Sequence, residues 1–314
     1  MRTGDREQGS GFRGSWVAAL ALVLAAGCAS PQAAQFADAD WVSHATTGRG
    51  AYERGDYRRG ADAYGRAQQR ARALDDAEAL AVAAVNRATC LLAADQADEA
   101  LAGADEALGD PRVSTARRAE LMVAGARAEV ALGKIDEALA RLEAALALAP
   151  APVLRAQALL ARGAAELARE QPGAAEKALS EGMSAEEWER LPASLRAERT
   201  ALLAQIAAAE KKPAEAAVRQ DEAAALWKKA GRLPDMARAL AEGGRQAQAA
   251  KDWAGACDRF YRAARSLWAQ GLRPEAVRAL EEGISCAEKL DDEAVGKRMA
   301  DLFVTFQDGE RLEK

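Results

Sequence analysis

The feature that most restricts this chain is a small–large–small triplet that returns at nearly even steps. Ala256, Phe260 and Ala263 stand four and three residues apart, which puts them on one face of a helix. Gly60, Tyr64 and Ala67 repeat the design, as do Ala138, Leu142 and Ala145; weaker copies run through Ala100, Ala104 and Ala107, then Ala175, Leu179 and Gly182, then Ala216, Gln220 and Ala223. The leading small residues lie 40, 38, 37, 41 and 40 residues apart. Small residues let two helices approach at their crossing, and the large one fills the hollow beside it. A single helical hairpin cannot bury such a face alone, so the units must stack.

Composition agrees. Alanine dominates with Leu, Glu and Arg, all strong helix formers, and no alternating β-branched run of strand length occurs. The chain reads as all-α. Six hairpins precede a seventh pair, 273–290 and 292–307, that closes the C-terminal end. The stretch Leu226–Gly244 matches Leu267–Ile284 with a one-residue gap, a direct internal copy. The triplets resemble the second helix of the tetratricopeptide repeat, and Gly48 with Ala51, and Gly244 with Ala247, supply its first-helix small residues. The resemblance implies a right-handed superhelix of about six to seven hairpins. The basic repeat of that family has about 34 residues, so the longer step here predicts longer helices or connections. No Phe, Trp or Tyr occurs from Gly65 to Glu187, which predicts closer helix spacing and shallower grooves there.

The N-terminal segment has a different character. Arg2, Arg6 and Arg13 precede an uncharged run from Ser15 to Ala26 that stops at Gly27-Cys28. This run is too short to span a bilayer, which takes about 20 apolar residues, and it fits the apolar core of an export signal, about 7–15 residues. Ala25-Ala26-Gly27-Cys28 resembles the bacterial lipobox, with Leu24 one place further from the cysteine than the commonest pattern. The resemblance implies cleavage before Cys28 and a diacylglyceryl group on its thiol, palmitate among the acyl chains. Ala29, rather than aspartate, after the cysteine implies an outer-membrane lipoprotein facing the periplasm. The expected organisation is a signal peptide over 1–27, a lipidated tether over 28–40, N-terminal repeats over 41–180, a connecting segment with a short helix over 181–192, and C-terminal repeats with a capping helix over 193–314.

Charge and chemistry narrow the function. Losing Arg2, Arg6, Arg13, Asp5 and Glu7 with the leader leaves 40 basic against 46 acidic residues, a net charge of −6. The basic residues are scattered at helical spacing rather than clustered, which argues against nucleic acid as partner. His44 is the only histidine, so neither a zinc site nor a triad base has the residues it needs. No phosphate-binding Gly-rich loop is present. The expectation is a non-enzyme with no cofactor, no metal and no small-molecule substrate. Cys257 and Cys286 are equidistant from a turn at Gly271-Leu272 and so sit at one height on antiparallel helices. A disulfide between them and a pair of buried thiols are both open readings, since a bridge needs α-carbons within about 7 Å and packed helix axes lie about 8–10 Å apart. Cys90 reads as core.

In the family resembled, first helices line a concave groove. Carried over, this places Arg49, Tyr52, Val85, Asn86, Thr89, Arg127, Leu160, Gln205, Arg245 and Gln248 on or near the inner surface. The Lys and Asn set that holds acidic C-terminal tails is missing: Ala45 and Arg49 occupy the first unit, Val82, Val85 and Thr89 the second. An apolar floor with a few arginines suits an extended or helical protein segment of some acidic character. The expected function is a membrane-anchored scaffold or adaptor that docks an envelope protein during assembly of outer-membrane, pilus or secretion machinery. The alternative is a lipoprotein regulator of a cell-wall synthase.

Overall fold

The computed structural model describes residue 36 and residues 38–290 and 292–312; Cys28 and its flanking segment lie outside the described residues. Fifteen α-helices and no strand occur among the described residues. They divide between Glu187 and Trp188 into two units.

The first unit contains four hairpins: α1 (Ala39–Glu53) with α2 (Tyr57–Ala73), α3 (Ala77–Ala93) with α4 (Ala97–Leu108), α5 (Thr115–Ala131) with α6 (Ile135–Ala147), and α7 (Pro152–Ala168) with α8 (Pro172–Glu181). A five-residue helix, α9 (Ala185–Glu189), spans the division. The second unit contains three hairpins: α10 (Ala193–Ala209) with α11 (Pro213–Lys229), α12 (Leu233–Ala249) with α13 (Trp253–Ala269), and α14 (Arg273–Leu290) with α15 (Glu293–Leu312).

The long repeat step has a simple origin. From α10 to α13 every helix has 17 residues, and three-residue turns join them. The turns share one construction. In each, a residue takes a left-handed φ between 47° and 80°: Gly55, Gly133, Gly231 and Gly271, but also Asp75, Asp95, Ala149, Glu170, Lys211 and Lys251. At Lys251 its N–H donates to the Gln248 carbonyl and the Asp252 N–H to that of Ala247, both at 2.9 Å. This is the Schellman closure that satisfies the last carbonyls of a helix. The next helix starts at once: Asp252 caps α13 by accepting from the Gly255 N–H at 3.0 Å, and Asp56 and Asp76 cap α2 and α3 in the same way.

Packing follows the small–large rule. A Cβ on Gly244 would meet the Phe260 ring at 2.8 Å, and one on Gly283 would meet Met299 Cε at 3.1 Å. Where aromatics are missing, leucine takes the hollow in two hairpins, at buried Leu142 and Leu179, and alanine in a third, at Ala104; the small residues Ala100, Ala138, Ala145 and Ala175 of these triplets are closed to solvent. Gln220 stands at the large position of its hairpin and is also buried.

Candidate functional site

In the first unit, the first helices of successive hairpins pack on one another, α3 against α5 and α5 against α7. Their outer side is fixed by α6. A Cβ on Gly125 would lie 2.9 Å from Arg141 of α6, and Glu129 accepts three hydrogen bonds from Arg141 at 2.7 to 3.1 Å. Arg127 is two residues from each, about 200° around the helix, so it issues from the side turned away from α6.

That inner side has a regular register. Val123 and Val130 flank Arg127 at helical spacing. One repeat back stand Val85, Thr89 and Leu92, and one repeat on stand Leu160, Ala164 and Leu167. Val85 is half-buried; the other eight, Arg127 included, are buried. Thr89 Oγ1 donates to the Val85 carbonyl at 3.0 Å, and Asn86 Nδ2 donates to that of Val82 at 2.9 Å. Both hydroxyl and amide are therefore turned onto their own helix. Arg127 is different: it is 4% exposed, and its Nε and Nη2 reach no hydrogen-bond partner among the described residues.

Arg49 and Tyr52 lie half-buried on α1, with the Tyr52 ring 5.4 Å from that of Tyr57. The remaining expected site residues belong to the second unit. Gln205 on α10 is 9% exposed and its Oε1 is buried without a donor. Gln248 on α12 is half-buried. Arg245 is exposed and already engaged: it donates to Glu282 at 2.9 and 3.1 Å and to Glu242 at 2.8 Å. Partial desolvation of its head lowers the guanidinium, and Glu242 and Glu282 more than offset this, holding it above its usual range.

No family model matches the chain, and no curated protein matches it. Solved structures do show likeness. The apo form of RapI covers 80% of this chain and 98% of its own, at 13% identity and TM-score 0.49. The TPR2AB domain of yeast Sti1 in complex with pHSP90 covers 79% and 98%, at 15% identity and TM-score 0.35. The apo form of the quorum sensor NprR from B. thuringiensis covers 83% and 79%, at 14% identity and TM-score 0.33. Identities and scores this low carry no functional conclusion.

Arg245 belongs to a set of ion pairs one repeat apart that the sequence reading did not anticipate. Arg238 forks onto Glu275 at 2.7 and 2.8 Å, one turn-pair before Arg245 forks onto Glu282. Between second helices, Arg72 meets Glu106 at 2.6 Å, Arg141 meets Asp105 at 2.6 Å, and Arg259 meets Asp221 at 2.7 Å. The signal was present as arginines and carboxylates about 37 residues apart, visible once the repeats are aligned by their turns. These pairs tie neighbouring hairpins, whereas Arg127 Nε and Nη2 are buried without a hydrogen-bond partner among the described residues.

Cys257 and Cys286 are free, buried thiols. Cys257 Sγ lies 3.7 Å from the Gly283 carbonyl. Burial, with the nearby Cys257 thiol next in weight, pushes Cys286 up to about 11. Among the described residues no three His, Cys, Asp or Glu side chains gather as a metal site requires, and no helix is long and apolar enough to cross a membrane.

Proposed function

We propose that the chain is a lipid-anchored helical-repeat scaffold that docks a segment of another envelope protein along the inner row of its first helices. The observation that supports the reading is the stacking of first helices, α3 on α5 and α5 on α7, whose row is reached from solvent at half-buried Val85 and Asn86 while its other members are buried within the chain. A row of first helices stacked side by side and rimmed by half-buried Val85 and Asn86 suits an extended or helical segment. The repeat construction supports the same reading, since stacked hairpins offer a long face rather than an enclosed pocket.

The anchoring part rests on the lipobox-like run ending at Cys28. Each buried methylene contributes about 0.8 kcal/mol, and one acyl chain alone holds only marginally, so the multiple chains of a mature lipoprotein give durable attachment. Residues 29–38 reach about 35 Å when extended, which keeps the first hairpins near the membrane surface. We place that surface at the outer membrane, facing the periplasm.

A membrane pull-down tests both parts. Val85→Glu, chosen because Val85 is a half-buried member of the row, is expected to lose partners that Glu143→Lys, on exposed α6 surface, retains. Equal capture by both variants at equal thermal stability contradicts docking on this row. Cys28→Ala is expected to release the chain from membranes and abolish palmitate labelling; unchanged labelling contradicts the anchor.

A further inference from the structure

No other helix of the first unit is as basic as α2. It has five arginines, Arg58, Arg59, Arg66, Arg70 and Arg72, against one carboxylate, Asp62. The next second helix, α4, is its opposite, with Asp98, Glu99, Asp105 and Glu106 and no basic residue. Two of the five arginines are engaged: Arg70 forks onto Asp38 at 2.9 and 2.7 Å, and Arg72 meets Glu106 at 2.6 Å. Arg58, Arg59 and Arg66 are exposed and form no ion pair among the described residues. By helical geometry they fall within about 100° of one another, on the side opposite buried Gly60, Tyr64 and Ala67. Asp62 is the one α2 carboxylate among them, so the face is net positive in a chain that is net negative.

The tether meets the fold beside this face. Arg70, in the last turn of α2, holds Asp38, the cap of α1, and the Phe36 ring packs on Trp41 at 4.5 Å. The chain therefore enters at the C-terminal end of α2. Residues 29–36 reach about 28 Å when extended, whereas Arg58 to Arg70 span about 18 Å along the helix axis. An acylated Cys28 seated in a leaflet leaves enough chain for the whole of α2 to lie on that leaflet's headgroups.

We infer that the outer face of α2 rests on anionic phospholipid headgroups through Arg58, Arg59 and Arg66, a second membrane contact beside the acylated cysteine. This rests on the anchoring reading above. Guanidinium groups fork onto phosphate oxygens, and each basic residue close to an anionic leaflet adds to the attraction. An acyl anchor joined to a basic patch holds a chain more firmly than either signal alone.

The test uses the mature chain with Cys28→Ala, so that no acyl chain contributes. It measures co-sedimentation with vesicles of phosphatidylcholine alone, or of phosphatidylcholine and phosphatidylglycerol in equal parts. The expected result is partitioning onto the mixed vesicles, none onto phosphatidylcholine, and release as salt rises. Arg58→Glu, Arg59→Glu and Arg66→Glu together are expected to weaken partitioning at least about tenfold more than a control with the same change in charge at exposed positions elsewhere, Arg162→Glu, Lys229→Glu and Arg278→Glu. Replacing the same three arginines by lysine is expected to retain partitioning. Equal loss in the two glutamate variants at equal Tm, or equal partitioning onto both vesicle types, overturns the proposal. Capture of a membrane protein that depends on these arginines, with no vesicle binding, assigns the face to a protein and overturns it too. Palmitate labelling of wild type and Cys28→Ala reads the anchor separately. Labelling lost without vesicle partitioning keeps the anchor and rejects the lipid face; partitioning without any labelling keeps the face and rejects the anchor.

Discussion

Gly48 of α1 and Tyr64 of α2 are in such close register that a Cβ on the glycine would sit 2.7 Å from the tyrosine ring. Sixteen residues separate them, and sixteen separate Gly244 from Phe260, where the same contact recurs at 2.8 Å. Both rings are buried, so neither can swing away into solvent. Gly48→Ala and Gly244→Ala are each expected to cost about 1–3 kcal/mol through overpacking, read by urea denaturation. Adding Tyr64→Leu to Gly48→Ala is expected to recover part of the loss, because the smaller side chain frees the crossing. Additive losses in the double variant contradict a direct contact.

The turns offer the opposite change. Lys251 holds a left-handed φ of 63° with a Cβ that this region disfavours by about 1–2 kcal/mol. Gly231 and Gly271 serve the same turn at 73° and 76°. Lys251→Gly is expected to stabilise the chain by up to about 1 kcal/mol, the relief exceeding the added freedom of the unfolded chain. Chemical denaturation measures it, and a loss of stability contradicts the shared turn geometry.

Acid sensitivity should begin at the first helix. Asp38 caps α1 by accepting from the Trp41 N–H at 2.8 Å, and Arg70 donates to it at 2.9 and 2.7 Å. The Arg70 hydrogen bonds, then the cap, bring its carboxyl from 3.8 down to about 2. A lowered folded value means the contribution is complete above the unfolded value, near pH 4, and is lost as pH falls from there through about 2. Asp38→Asn keeps a capping oxygen but does not titrate. It is expected to lower Tm at pH 7 and to flatten the decline between pH 4 and 2; an unchanged acid limb contradicts the assignment.

Thiol chemistry separates the two readings of the Cys257–Cys286 pair. Burial raises both thiols, so the thiol rather than the reactive thiolate dominates at pH 8. Iodoacetamide is expected to spare them in the folded chain and to modify them in guanidinium chloride. Protection that persists in denaturant and disappears with reductant is the result expected of a disulfide instead.

The fold was legible because its determinants are local and repeated. Triplets such as Ala256, Phe260 and Ala263 name both the buried face and the step, and the pairs of Gly231 and Gly271 mark turns directly. Lys211, Glu170 and Ala149 hid theirs: lysine, glutamate and alanine carry no left-handed preference, and tertiary packing imposes the turn on them. The inner row was legible as positions, Val85, Thr89, Arg127 and Leu160 among them. Its electrostatics were not, because the state of an arginine depends on a carboxylate one repeat away. Arg245 and Arg127 look equivalent in sequence, yet Glu282 and Glu242 occupy the one while Val123 and Val130 flank the other.

The central claim is that the inner row of the first unit grips a partner. Site-specific photocrosslinking in intact cells tests it most directly, with the crosslinker at Val85 on the row and at Glu143 on exposed α6 surface. The account predicts a discrete crosslinked species from position 85 that is absent from position 143. The same species from both positions, or from 143 alone, contradicts it.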